Sequence, residues 1–99
     1  GSDAQGHGEM TRLLKQTKTF LKDSKKVSLS DKHFTKFVQY LSALSLGEVL
    51  PEESKDHALV GNWEGYREFH LSGDVLIIYK VTEGEIILTR MGSHSQLFE

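Results

Sequence analysis

The chain has 99 residues, with 12 Lys and Arg against 14 Asp and Glu, one Pro and no Cys. Its length fits one domain, and the lack of Cys excludes a disulfide framework, a thiolate zinc site and a thiol nucleophile. No apolar run approaches the ~18 residues of a membrane-spanning helix, and the lack of Cys is compatible with the cytoplasm, the expected location; no membrane contact is expected.

Residues 1–9, GSDAQGHGE, read as the remnant of an expression tag, and Met10 as the natural start of a single domain over 10–99. Without Asp3 and Glu9 the acidic count falls from 14 to 12 and matches the 12 basic residues. That balance is uneven along the chain. Residues 10–50 hold eight basic and three acidic side chains, and residues 51–99 hold four and nine. A basic N-terminal half can meet a polyanion or an acidic protein, although a solvated helix face explains the same lysines.

Residues 11–16 fit a short first strand and 18–26 a helix with Phe20 and Leu21 among lysines. Ser30 is a good N-cap for the next helix, and Asp31 suits its first turn. Phe34, Phe37, Val38, Leu41 and Leu44 fall on one apolar stripe, which ends at Gly47. Pro51 follows in a turn, and residues 52–65 lack any period and read as a long loop. Trp63 in that loop is expected to cap one edge of the core.

The last third reads as sheet. Residues 65–71 form a strand, Ser72-Gly73-Asp74 a turn, and 75–81 a strand whose run VLIIYKV suits a position covered on both faces. Thr82-Glu83-Gly84 turns the chain into a third strand over 85–91, and a polar tail follows. The order predicts an α+β two-layer domain, with a strand, two helices on one face of an antiparallel sheet, and a three-stranded meander.

A meander brings the end of one strand beside the start of the next. His70 therefore ends its strand near Asp74, and His94 follows the third strand at the same rim. Alternation puts Tyr66, Glu68 and His70 on one face and Arg67 and Phe69 on the other. Arg90 lies near the rim in sequence, and parity gives no place to His57.

Imidazoles and carboxylates so gathered suit general acid–base chemistry, and Arg90 or Arg67 could hold charge on a phosphate. Taken singly, His70 could only end a strand and Asp74 only satisfy its turn. His33, beside Phe34, is expected to be exposed and receives no role. A zinc site from the same histidines lacks His-x-x-x-His spacing, and no phosphate-loop, dinucleotide or nucleophile-elbow motif is present.

The pieces KDHALVGNW, GYREFH, GDVLIIYK and RMGSHSQLF run in order from Leu50 to Phe98, about half the chain. In them the chain closely resembles the YafQ branch of the RelE/ParE toxin superfamily. The resemblance implies a toxin of a bacterial type II toxin–antitoxin pair, with a fold like small microbial ribonucleases. It implies mRNA cleavage in the ribosomal A site without a metal or other cofactor. The ribose 2′-hydroxyl attacks the adjacent phosphate, leaving a 2′,3′-cyclic phosphate and a 5′-hydroxyl.

The family's functional positions fall on His57, His70, Asp74 and His94 as catalytic residues, and on the near-terminal aromatic Phe98. Glu68 stands where some members carry Asp, and Gly73-Asp74-Val75 where some carry Pro-Asp-Trp. In this reading His94 is the general acid and His70 or Asp74 the base. His57 holds the phosphate or shares proton transfer. Glu68, Arg90 and Phe98 bind substrate, with Phe98 placed to stack on a base or to anchor the C-terminus. Lys18, Lys22, Lys25 and Lys26 would face ribosomal RNA.

The resemblance also implies a cognate antitoxin, a DinJ/RelB-like DNA-binding dimer through which alone the toxin meets operator DNA. Two other readings stay open. One is a non-catalytic co-repressor that only binds its antitoxin, and the other is a ParE-like gyrase inhibitor.

Overall fold

The computed structural model describes residues 11–98, and the tag reading of residues 1–9 and the start at Met10 lie outside them. Strand β1 (Leu13–Gln16) is followed by helices α1 (Lys18–Lys26) and α2 (Asp31–Ser45). Short strand β2 (His57–Ala58) precedes the meander β3 (Arg67–His70), β4 (Leu76–Val81) and β5 (Glu85–Gly92), and helix α3 (His94–Phe98) ends the chain.

Local chemistry sets the helix ends, at Ser30 as the sequence predicts and at Thr17 by a cap that the sequence reading did not single out. The Thr17 hydroxyl accepts from the Phe20 N–H, and the Ser30 hydroxyl accepts from the His33 N–H. After α2 the chain reverses at Gly47 with φ +76°, a conformation in which a Cβ would be strained.

The buried face of α2 is rotated from the predicted stripe. Tyr40 and Leu44 are buried, with Phe37, Leu41 and Ala43 packed beside them, whereas Phe34 and Val38 stay 54% and 49% exposed. Tyr40 takes their place because it serves both phases. Its ring meets Phe69 edge-on at 5.5 Å, while its hydroxyl donates to a Glu53 carboxylate oxygen at 3.1 Å.

The sheet has the order β1-β5-β4-β3-β2. The meander is antiparallel as predicted, but β1 joins β5 in parallel, so the sheet is mixed. It also gains β2 as a fifth strand, from a segment expected to be loop.

The continuous apolar run of β4 is explained by its central place. Ile77 and Tyr79 enter the main core under α1 and α2 with Phe20, Phe69, Ile86 and Leu88. Leu76 and Ile78 point the other way, to a smaller cluster with Leu97, Leu59, Trp63 and Tyr66. Trp63 thus covers one side of the core, as expected, and stands edge-on to Tyr66 at 5.3 Å. The tail is helix rather than irregular, and its Leu97 packs α3 on the face opposite α1 and α2.

β1 covers β5 only from Glu85 to Leu88. Beyond that, the pairing of β5 with β4 jumps from Tyr79↔Leu88 to Ile78↔Arg90, leaving Thr89 as an extra residue. The Thr17 hydroxyl donates to the Thr89 carbonyl at 2.9 Å, and Asp23 accepts the Met91 N–H at 3.0 Å. α1 therefore satisfies the edge that β1 leaves open. Among the described residues, no helix is long and apolar enough to cross a membrane.

Candidate active site

The pairing of His70 with Leu76, and of Leu76 with Gly92, sets three strands in one row. Adjacent strands lie about 4.8 Å apart, so the row is about 10 Å across. Asp74 lies two residues before Leu76, and His94 two after Gly92. The backbone therefore brings His70, Asp74 and His94 to one rim, as the meander argument predicts.

Alternation along β3 also holds. Phe69 enters the main core, while Tyr66 joins the opposite cluster, on the side that carries Glu68 and His70. β2 then adds what parity could not place. His57 pairs with Glu68 across the two strands.

Glu68 is only 4% exposed, and its Oε2 meets His57 Nε2 at 3.1 Å and His70 Nε2 at 3.2 Å. The two imidazoles lie 6.5 Å apart with 29° between their planes. The second carboxylate oxygen, Oε1, is buried with no hydrogen-bond partner among the described residues.

This geometry fixes the orientation of both rings. Lys55 has φ +53°, and its carbonyl meets His57 Nδ1 at 2.7 Å. A carbonyl only accepts, so Nδ1 carries a proton. The other ring nitrogen, Nε2, meets Glu68, so the His57 ring is tethered at both nitrogens. His70 donates to Glu68 through Nε2, and its Nδ1 has no partner among the described residues. That nitrogen is free to take a proton.

The other candidates fall around this cluster. Asp74 is exposed in its turn, where its N–H donates to the Ser72 hydroxyl, and its carboxylate has no partner among the described residues. His94 opens α3, with its ring 4.7 Å from that of Phe98, which in turn stands 6.4 Å from Trp63. Phe98 therefore rests on a core aromatic and keeps an exposed edge beside His94. No hydrogen bond, ion pair or ring contact joins His94 or Asp74 to Glu68, His57 or His70 among the described residues.

Arg90 is turned elsewhere. Its Nε donates to Asp23 Oδ2 at 2.7 Å and its Nη2 to Oδ1 at 3.4 Å. Burial acts to raise the Asp23 carboxyl, but hydrogen bonds from Arg90 and the Met91 N–H outweigh it and hold the group below its ordinary value. Arg67, the other candidate cation, donates to Asp56 at 3.3 Å.

Lys18, Lys22, Lys25 and Lys26 all lie on α1, where Lys22 and the rest of its polar face meet solvent. Of the four, Lys26 also lines a 370 Å³ groove that reaches Ser72, Asp74 and Ser93 at the rim. A larger 530 Å³ cavity beside His70 is bordered by Lys36, Lys55 and Tyr40. His33 borders both and is half-buried rather than exposed. Neither cavity was readable in the sequence, because the walls of the larger come from α2, the aperiodic segment and the β3–β4 turn, and those of the groove from the α1–α2 link, the same turn and the residues around the start of α3. Among the described residues, no group of three or more His, Asp or Glu side chains is arranged to hold a metal ion.

Comparison with known proteins shows the family and the fold. The family described as "Bacterial toxin of type II toxin-antitoxin system, YafQ" matches residues 12–99. The mRNA interferase toxin YafQ of Escherichia coli K12 is 38% identical over 79 residues, which is 76% of this chain and 86% of that protein. The crystal structure of YafQ from E. coli BL21(DE3) superposes with a TM-score of 0.78 at 31% identity, covering 89% of this chain and 99% of that one. The toxin of the E. coli DinJ-YafQ toxin-antitoxin complex gives 0.77 at 32% identity, over 90% and 99%.

Proposed function

Because this chain belongs to the YafQ family of bacterial type II toxins, we propose that it is an endoribonuclease that cuts mRNA in the ribosomal A site and is restrained by a DinJ-like antitoxin. The observation that carries this reading is the joining of His57 and His70 through one oxygen of buried Glu68, beside a rim that also holds Asp74 and His94. A purely structural strand end has no use for a buried carboxylate shared by two imidazoles.

The reaction then divides as follows. His70 Nδ1 takes the proton of the ribose 2′-hydroxyl. The 2′ oxygen attacks the adjacent phosphorus, and the bond from phosphorus to the 5′ oxygen breaks. His94 gives its proton to that leaving oxygen. The products are a 2′,3′-cyclic phosphate and a 5′-hydroxyl. His57 and the α1 lysines hold the phosphorane and the incoming backbone. Phe98 offers a face to an mRNA base, and Asp74 is the alternative base at the same rim. Arg90, already held by Asp23, supports the fold around the site.

The E. coli relative's complex with DinJ supports a cognate antitoxin as the protein partner. Operator DNA is reached through that antitoxin. The place of action is the cytoplasm, where translated message lies. Residues 10–99 serve as one toxin domain.

The test is expression from Met10 in cells, followed by primer extension on a reporter mRNA. Cuts in reading frame are expected on translated message only, and His94→Ala should lower them at least ~100-fold with the fold retained. Growth arrest with intact mRNA would point instead to gyrase. No arrest at all would leave a co-repressor that only binds its antitoxin.

A further inference from the structure

Asp56 stands one residue before His57 and belongs to none of the roles above. β2 is only two residues long and lies at the edge of the sheet. Pairing of that length does not hold a strand in register by itself, so the segment ahead of it must be fastened.

The fastenings are specific. Ser54 is fully buried, and its hydroxyl donates to the Pro51 carbonyl at 2.7 Å. The Glu53 carboxylate accepts from Tyr40 and from Lys36, at 3.1 and 3.0 Å. Asp56 Oδ1 accepts from the Tyr79 hydroxyl at 2.5 Å and from Arg67 Nε at 3.3 Å. Tyr79 is 1% exposed at the centre of the sheet, and Arg67 lies directly across from it on β3. Burial, and then the Asp56 carboxylate, push the Tyr79 hydroxyl well above its ordinary value, so it remains a donor.

Asp56 therefore ties the start of β2 to the two strands that build the site. With Asp56 held, the left-handed turn at Lys55 aims its carbonyl at His57 Nδ1, and Nε2 falls on Glu68. We propose that Asp56 is a positioning residue for cleavage, acting through Tyr79 and Arg67 to fix the His57 ring against Glu68. It touches no substrate. The proposal rests on the reading that His57 serves the reaction.

The test compares Asp56→Ala, Tyr79→Phe and His57→Ala with the parent chain. Single-turnover cleavage on programmed ribosomes gives the saturating rate and the half-saturating toxin concentration. Asp56→Ala and Tyr79→Phe should each lower the rate about 10- to 100-fold, with half-saturation changed by less than about threefold. Adding Asp56→Ala to His57→Ala should cost almost nothing more, because the effect passes through His57. A merely structural role would cost as much on either background, and that result would overturn the proposal.

The ring 15N resonances of His57 give a readout independent of activity. Both variants should shift them, and unchanged resonances would also overturn it. Full cleavage by His57→Ala would overturn the role given to His57, while the resonances still decide whether Asp56 holds the ring. Tyr79→Phe removes one hydroxyl and keeps the core filled, so it carries the test where Asp56→Ala does not fold.

Discussion

Glu68 shows how much of the chemistry rests on one side chain. A buried carboxylate is costly to desolvate, and one of its oxygens has no partner among the described residues. Two histidines on the other oxygen recover part of that cost and gain a fixed orientation. Glu68→Gln should therefore lower cleavage about 10- to 100-fold in the primer-extension assay. Asp23 is the opposite case, a carboxylate that holds structure. Its folded pKa is held low, so its contribution is present above the unfolded value of about 3.9 and is lost as pH falls through the folded one. At pH 7, Asp23→Asn should cost about 1–3 kcal/mol. Urea melts at pH 7 and pH 3 should show the gap to the parent closing below about pH 4.

At the scale of elements, α2 and β2 depart from expectation for different reasons. In α2 the 3.6-residue period holds, but the apolar stripe leaves out Tyr40. Its ring is core and its hydroxyl is anchored, so the buried face turns toward it and leaves Phe34 and Val38 in solvent. Val38→Ser should then cost less than about 0.5 kcal/mol, and Leu44→Ala about 2–5 kcal/mol, in the same denaturation experiment. The original stripe would make the two losses comparable. β2 has no period to read, because it is two residues held by side chains of neighbouring elements.

Across the whole molecule, the sheet separates two tasks. One face packs under α1 and α2 and forms the main core. The other carries the smaller cluster beneath α3, with His57, Glu68 and His70 on the same side of the strands. The lysines of α1 gather half of the basic N-terminal side chains on one helix, and Lys26 carries that charge toward Asp74. If these lysines meet RNA phosphates, changing Lys18, Lys22, Lys25 and Lys26 to Gln should flatten the salt dependence of ribosome binding. The log–log slope should change by about 0.7–0.9 for each phosphate that is no longer neutralised. The cleavage-impaired His94→Ala chain is the form in which to measure it.

The sequence by itself determined what acts over one turn or one strand. The cap at Ser30, the stop at Gly47, the two-faced burial of β4 and the alternation of Glu68 and His70 with Phe69 are all local in origin. So is the gathering of His70, Asp74 and His94, because a meander with short turns leaves strand ends no other place. Tertiary structure decided the rest. It brought His57 to Glu68, drew Arg90 to Asp23 across 67 residues, and set α3 on the face opposite α1 and α2. Periodicity and capping report the preferences of a segment alone. The partner of a side chain on another element is fixed only when packing has set the distance between them.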